Sequence, residues 1–288
     1  MTGYRQVLAL PGMAALLSVT LLARAAITSM VLALTMYVVL GLDLNYAAAG
    51  GTTAATTAGI ALGGPMLGRQ LDRRGLRPVL LTTATAQLLF WLSAPALPYQ
   101  ALLPTAFAAG LLMVPVQSVT RQAIAAMTPP PHRRAAYALE SVQGELSYMI
   151  GPAVVILAAA QLSPTTVLWA VGAVILTGAL GVALLNPPLR TTEEFTAPTT
   201  PRPTRRQWLT APMVALLLMA FGTTTLLSGI DLALIATLEE AGQTSWAGLV
   251  VAVLGAASVT GGLIYGALTV PLPPELLLAL LGLLTLPA

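Results

Sequence analysis

The chain has 288 residues, of which 57% are hydrophobic and only 8% are charged, and its mean hydropathy is +0.84. Because an ordinary soluble domain is about a quarter charged, this composition excludes a soluble fold and indicates that the solvent is lipid. The chain contains no cysteine and a single histidine, His132, which excludes disulfides, thiolate metal sites and histidine clusters. The net charge of +3 gives no reason to expect nucleic acid as a partner.

Apolar stretches long enough to cross a membrane recur along the whole chain. About twenty mostly apolar residues span the hydrocarbon core of a bilayer. On that scale we predict eight spans, near 12–40, 46–67, 78–97, 101–127, 135–160, 165–186, 212–237 and 247–269. A ninth apolar stretch from Glu275 would be a helix of only about 21 Å before Ala288, so we expect a chain truncated after about eight helices.

The distribution of arginine predicts the orientation in the membrane. With a cytoplasmic amino terminus, twelve of the thirteen basic residues fall in cytoplasmic segments, and the outer loops hold none, as the positive-inside rule requires. This predicts a multi-pass protein of the plasma membrane, and the use of arginine without lysine favours a bacterial source. The arginines assigned to the inside are Arg5, Arg69, Arg73, Arg74, Arg77, Arg121, Arg133, Arg134, Arg190, Arg202, Arg205 and Arg206.

The first apolar stretch also has to be considered as a secretory signal peptide, because Ala23-Arg24-Ala25 has the form of a small-x-small cleavage site. An arginine inside that triplet is unusual, and the apolar run continues to Leu40. We therefore interpret the stretch as a membrane span.

The spans fall into two groups, separated by a polar segment rich in proline and threonine. We predict an all-α membrane bundle with a complete six-helix half at 1–186, a cytoplasmic linker at 187–211 and an incomplete second half at 212–288. The two halves resemble one another: a slide of 198 residues places Gly63, Gly64 and Gly68 on a second glycine triplet, Gly261, Gly262 and Gly266. An internal duplication explains this match.

One loop carries a specific motif. Between the second and third predicted spans stand Gly68-Arg69-Gln70-Leu71-Asp72-Arg73-Arg74-Gly75-Leu76-Arg77. This segment resembles the signature loop of the major facilitator superfamily, Gly-x-x-x-Asp-Arg-x-Gly followed by basic residues. We expect Gly68 to allow close backbone approach, Gly75 to adopt a positive φ, and Asp72 to accept hydrogen bonds from Arg73 or Arg77.

The resemblance implies a transporter with a cytoplasmic gate that includes Gly68, Asp72, Arg73, Gly75 and Arg77. Leu76 departs from the family pattern, which usually has a basic residue there. The alternative is that these arginines serve only to hold the loop inside, but that explains neither Asp72 nor the glycine spacing.

A second element, in the fifth span, gives weaker information. Ser147-x-x-x-Gly151-Pro152 partly resembles an element of the family's drug/proton antiporters, although Val155 and Ile156 replace its last glycines. We predict a helix kink at Gly151 and Pro152 and favour efflux over uptake. The same pair is also common in membrane helices for packing reasons alone.

Charged residues inside the membrane are the remaining candidates, because a charge at the bilayer centre is costly and usually serves a function. From their depths in the helices we predict that Arg24 pairs, or shares a polar cavity, with Glu145, and that Arg121 pairs with Glu140. Asp231 is expected to lie alone in the second half. These residues have either a structural role as ion pairs or a role in handling substrate or protons.

These features together predict a secondary transporter that exchanges a small molecule for protons by alternating access. The alternative is a truncated relative that inserts in the membrane without transporting. We expect neither an enzyme nor a bound cofactor or metal, since no nucleophile–base set or metal-ligand cluster occurs. Substrate, direction, coupling ion and oligomeric state stay open, and Gly59, Gly63, Gly172 and Gly181 are expected to allow close helix packing within or between chains.

Overall fold

The computed structural model describes residues 2–190, 209–243 and 246–268 and the single positions 276 and 283. Its regular elements are all helices, which confirms the predicted all-α class for the described part of the chain. The helices are α1 (Thr2–Leu8), α2 (Met13–Met36), α3 (Tyr46–Arg74), α4 (Leu76–Ser93), α5 (Tyr99–Leu111), α6 (Val116–Met127), α7 (Arg133–Ala159), α8 (Pro164–Leu185), α9 (Ala211–Glu240) and α10 (Ala247–Ala267).

Five helical segments of the described chain are long and apolar enough to cross a membrane, and they agree with five predicted spans: Met13–Gly41, Leu76–Ala96, Tyr99–Met127, Pro130–Ala159 and Pro164–Leu185. Helix α3 covers the predicted span at 46–67 with 29 residues, but its glycines and threonines make it less apolar. Helices α9 and α10 cover the last two predicted spans with shorter apolar stretches. The chain is therefore a multi-pass membrane protein.

Side-chain caps explain where two of the long helices begin. The Asn45 side chain accepts a hydrogen bond from the backbone N–H of Ala48 at 2.9 Å, which caps α3. The Ser163 hydroxyl accepts one from the N–H of Thr166 at 3.2 Å, and Pro164 takes the first helical position of α8. Each cap satisfies an N–H that the helix itself leaves unpaired, and proline at that position loses no helical hydrogen bond.

The predicted span at 101–127 is not one continuous helix. Helix α5 ends at Leu111, and α6 begins at Val116 after an irregular segment that includes Pro115. Pro115 has no N–H to donate to the preceding turn, which favours an interruption. Pro104 nevertheless lies inside α5 without breaking it, so proline alone does not locate the break.

The chain forms two compact units. The first comprises residues 1–191 and 258–288, and the second comprises 192–257. In the first unit α2 is central and contacts α3, α6, α7 and α8, while α3 packs on α5 and α4 packs on α8. Most of the predicted linker, at 191–208, lies outside the described residues.

Glycine allows the closest helix contact of the first unit, where α3 crosses α5. A Cβ atom added at Gly59 or Gly63 would overlap the backbone of α5, and one added at Gly110 would overlap the carbonyl oxygen of Thr56. Gly172 likewise lies against Trp91, and Gly181 against Val19.

These contacts give the four glycines singled out in the sequence a common role. Gly59, Gly63, Gly172 and Gly181 each allow close packing between helices of the same chain.

Candidate functional site

A cavity of about 280 Å³ lies among α2, α3, α7 and the interruption between α5 and α6. Apolar side chains such as Ile27, Leu67 and Met113 form much of its wall. Its lining includes one charged residue and no acid within the described chain. The residues that supply polar groups to the lining are Arg24, Thr28, Gln117, Ser118 and Tyr148.

A cluster of three charged side chains includes the cavity's arginine. Arg24 Nη1 lies 2.5 Å from Glu140 Oε1, and Arg121 Nε lies 3.3 Å from Glu140 Oε2. The Glu140 side chain is 4% exposed and that of Arg24 is 12% exposed, whereas that of Arg121 is 58% exposed. The predicted pairing of Arg121 with Glu140 is thus confirmed, and the same carboxylate also holds Arg24. The cluster carries one excess positive charge.

The surface of α7 explains why Arg24 fits beside it. Gly144 lies one turn beyond Glu140, and a Cβ atom there would come within 2.8 Å of Arg24 Nη2. Gln143 Nε2 donates to Thr20 Oγ1 at 2.7 Å and so joins α7 to α2 beside the ion pair. Gly144 leaves room for the guanidinium of Arg24, and Gln143 joins the two helices beside it. Together they form a seam between α2 and α7 in which the guanidinium lies.

The predicted pairing of Arg24 with Glu145 is wrong. Glu145 lies five residues beyond Glu140, which at 100° per residue turns its side chain about 140° around α7. Its Oε1 instead accepts a hydrogen bond from Ser258 Oγ at 2.9 Å, and it is not part of the described lining of the Arg24 cavity. Arg24 and Glu145 have a similar predicted depth in the membrane. The direction in which each side chain leaves its helix decides that Arg24 contacts Glu140 instead.

Two further candidates have different outcomes. Gly151 lies against α2, where an added Cβ would overlap the carbonyl oxygen of Ala25. Helix α7 continues through Pro152 to Ala159, and the predicted kink stays a prediction. The backbone of Asp231 lies in α9, but its side chain is outside the described part of the structure.

The signature loop lies where α3 ends and α4 begins, beside the end of α8. Asp72 Oδ1 lies 3.6 Å from Arg190 Nη2, and both side chains are about half exposed. Arg77 Nε donates to the carbonyl oxygen of Ala183 at 3.2 Å. The partner of Asp72 is therefore Arg190, from a distant segment, and not the expected Arg73 or Arg77.

The two glycines of the loop differ. Gly75 has φ +82° and terminates α3, as predicted, because a residue with a side chain rarely adopts this conformation. Gly68 has no atom within 4 Å of an added Cβ, so the expected close backbone approach there is wrong. That role belongs to Gly63 and Gly59, which lie about one and a half and two and a half turns earlier in α3.

The role of Gln87 was not predicted from the sequence. This fully buried residue donates from Nε2 to the carbonyl oxygens of Ala109, at 2.8 Å, and Leu112, at 3.4 Å, and accepts from Trp91 Nε1 at 3.0 Å. It therefore stabilises the end of α5, whose last carbonyls lack helical partners. The signal in the sequence was the pair Gln87 and Trp91, whose polar groups lie four residues apart in an apolar stretch.

Comparison with known protein families identifies the family of the chain. The chain matches the profile of the Major Facilitator Superfamily over residues 16–288. None of the curated proteins matches the chain. The match covers most of the sequence and includes the signature loop, the cavity and the charged cluster. The chain therefore belongs to the Major Facilitator Superfamily and is a membrane transporter of small molecules.

Proposed function

We propose that the chain exports a small molecule in exchange for protons and works by alternating access in a bacterial plasma membrane. The cavity beside Arg24 is the observation that carries the proposal. It is concave, mostly apolar and supplied with a few polar groups, which is the usual character of a small-molecule site. Transporters bind substrate near the middle of the membrane and expose it to each side in turn.

The amino terminus is proposed to be cytoplasmic. Asp72, at the end of α3, and Arg190, after the end of α8, contact each other and so lie on the same side of the bundle. Both belong to segments that the arginine distribution assigns to the inside. This agreement between a contact and a charge pattern supports the orientation.

The loop around Asp72 is the proposed cytoplasmic gate. The ion pair with Arg190 is half exposed, so water screens it and it can break and re-form at little cost. Asp72 lies in the last turn of α3, just before the sharp turn at Gly75, so movement of α3 changes the position of Asp72. Arg73 and Arg77 complete the gate, with Arg77 holding the end of α8.

Glu145 is the proposed proton carrier within the first unit. Protonation of Glu140 would break two ion pairs, whereas Glu145 accepts a hydrogen bond from a hydroxyl and makes no ion pair within the described residues. Neutralising Glu145 therefore leaves no buried cation without a partner. Efflux is favoured by the partial antiporter element at Gly151 and Pro152.

Proton coupling can be tested in liposomes that contain the purified chain and a trapped pH-sensitive dye. We expect addition of a transported compound to change the internal pH, and we expect Glu145→Gln to abolish this change while substrate flux persists. Asp43→Asn is the matched control, because it removes the same charge from a loop position with positive φ that asparagine tolerates.

The result has two ways to contradict the proposal. Solute flux without any pH change would overturn proton coupling but leave transport intact. Flux equal to that of empty liposomes, for a folded and inserted protein, would instead favour a chain that enters the membrane without transporting.

A further inference from the structure

We propose that the cavity between α2, α3 and α7 selects small organic anions and that Arg24 recognises their negative group. The inference names the substrate class of the proposed transporter and rests on that function for its physiological meaning. Binding itself requires only the cavity, so the two can be tested separately.

The charge balance of the cavity wall is the first observation. Arg24 is the charged residue in the described lining of the cavity. It belongs to a cluster that contains two guanidinium groups and one carboxylate. Glu140 is shared between Arg24 and Arg121, so the cluster has one more guanidinium group than it has carboxylates. An anion that enters the cavity would supply the missing negative charge in a setting where charge interactions are stronger than in water.

The hydrogen-bond geometry of Arg24 is the second observation. A guanidinium has five N–H donors arranged as a planar fork that fits two acceptor oxygens at once. The described hydrogen bonds of Arg24 all leave from Nη1, toward Oε1 and the main-chain oxygen of Glu140. Within the described chain, Nε and Nη2 make none. Nη2 lies against Gly144 of α7, where an added Cβ would come within 2.8 Å of it.

The other acidic residues that the structure describes in the first unit do not cancel this charge at the cavity. Glu145 lies on another side of α7 and binds Ser258, and Asp72 is paired with Arg190 at the end of the bundle. Asp43 lies in the loop before α3. None of the three contributes to the described lining.

The other residues of the lining indicate which neutral and apolar groups the anion carries besides its charge. Gln117 and Ser118 are exposed and offer neutral donors at the start of α6, while the apolar wall suits a hydrocarbon or aromatic body. A volume of about 280 Å³ is at the small end for ligand sites. The expected ligand is therefore a compact organic acid, such as an aromatic or branched carboxylate or sulfonate.

Three compounds of one shape and different charge test this inference. Benzenesulfonate is an anion, benzenesulfonamide is neutral and benzamidine is a cation at neutral pH. We expect millimolar benzenesulfonate to raise the unfolding temperature of the detergent-solubilised chain by about 3 °C or more, because a ligand that binds only the folded state stabilises it. The other two should change it by less than about 1 °C.

Variants locate the effect. Arg24→Gln should remove the response to benzenesulfonate, whereas Arg5→Gln, an equal change of charge at an exposed position of α1, should retain it. If Arg24→Gln does not fold, Gln117→Ala changes an exposed lining residue and should weaken the apparent affinity several-fold. The comparison of the anionic, neutral and cationic compounds on the natural chain is sufficient to test anion selectivity.

The outcomes separate the two proposals. Equal or greater stabilisation by benzamidine or benzenesulfonamide, or no stabilisation by any of the three, would overturn anion selectivity. Stabilisation by benzenesulfonate without flux in liposomes would leave the anion site standing and overturn transport. Flux of other compounds, without preference for the anion, would leave transport standing and overturn the anion site.

Discussion

Arg24 of α2 and Glu140 of α7 form a buried ion pair, with Nη1 and Oε1 2.5 Å apart, and this pair joins the wall of the cavity to the seam between the two helices. Glu140 also holds Arg121 of α6. One carboxylate therefore ties three helices together, and the cluster carries one excess positive charge. The pair has a structural role whatever its role in transport.

Removal of the shared carboxylate should strongly destabilise the bundle. Glu140→Gln would leave the guanidinium of Arg24 buried without a counter-charge, which costs about 3–5 kcal/mol when one partner of a buried pair is lost. For a chain of this size we expect a fall in unfolding temperature of about 6 °C or more. Thermal unfolding of the detergent-solubilised variant measures it.

Glu145→Gln is the matched control for that measurement, because it removes the same charge from the same helix where the partner is a hydroxyl. It should shift the unfolding temperature by less than about 2 °C. Equal shifts for the two variants would show that the ion pairs of Glu140 contribute nothing specific.

A methyl group at Gly63 should disrupt the crossing of α3 and α5. In Gly63→Ala the new Cβ would overlap the carbonyl oxygen of Leu111, and a backbone atom cannot move aside alone. We expect a loss of stability of about 1–3 kcal/mol, as for other overpacked sites. Gly64→Ala is the control, since an added Cβ there meets no atom within 4 Å. It should be neutral or slightly stabilising. The reverse order would refute the close crossing.

Replacement of Gln87 by leucine should weaken the end of α5. The carbonyl oxygens of Ala109 and Leu112 and the indole N–H of Trp91 would lose their partner, and each buried polar group left unpaired costs about 1–3 kcal/mol. Gln87→Leu should therefore lower stability by about 2 kcal/mol or more. Gln122→Leu changes an exposed glutamine and should stay within about 0.5 kcal/mol. Similar effects of the two would argue against the capping role.

The ion pair of the proposed gate should matter for transport more than for stability. Because both side chains are about half exposed, Asp72→Asn should change the free energy of unfolding by less than about 1 kcal/mol. Flux in liposomes should fall at least about tenfold if closure of the gate needs the pair, a loss of about 1.4 kcal/mol. The exchange Asp72→Arg with Arg190→Asp should restore part of it.

An unchanged flux in Asp72→Asn would exclude the pair from gating. Recovery by the exchanged pair distinguishes the loss of this contact from the loss of a negative charge at the loop. Both variants are compared at equal amounts of inserted protein.

Composition and local pattern determined the class and the elements. Long apolar stretches predict membrane helices because lipid offers no hydrogen bonds to the backbone, and a helix satisfies its own. Helices cover all eight predicted spans. Gly75 was predicted correctly because positive φ is a property of one residue and its own backbone.

Partners between helices could not be predicted in the same way. Depth along a helix follows from counting residues, and it correctly suggested that Arg121 and Glu140 meet. Rotation about the axis is a second coordinate, and it brought Arg24 to Glu140 instead of Glu145. A shift of five residues changes the depth by about 7.5 Å, and it also turns the side chain by about 140° toward another neighbour.

The glycines show the same division. The sequence identified Gly63 and Gly68 as members of one repeated pattern, yet an added Cβ at Gly63 would overlap a crossing helix and one at Gly68 would meet no atom within 4 Å. Gly261 and Gly266, which match them in the predicted repeat, show the opposite order, since of these two only an added Cβ at Gly266 would meet close neighbours. The sequence by itself determined that this is a helical membrane protein with the signature loop of its family. Only the tertiary structure decided which charges and glycines meet, because that depends on helix phase and crossing, which no single segment contains.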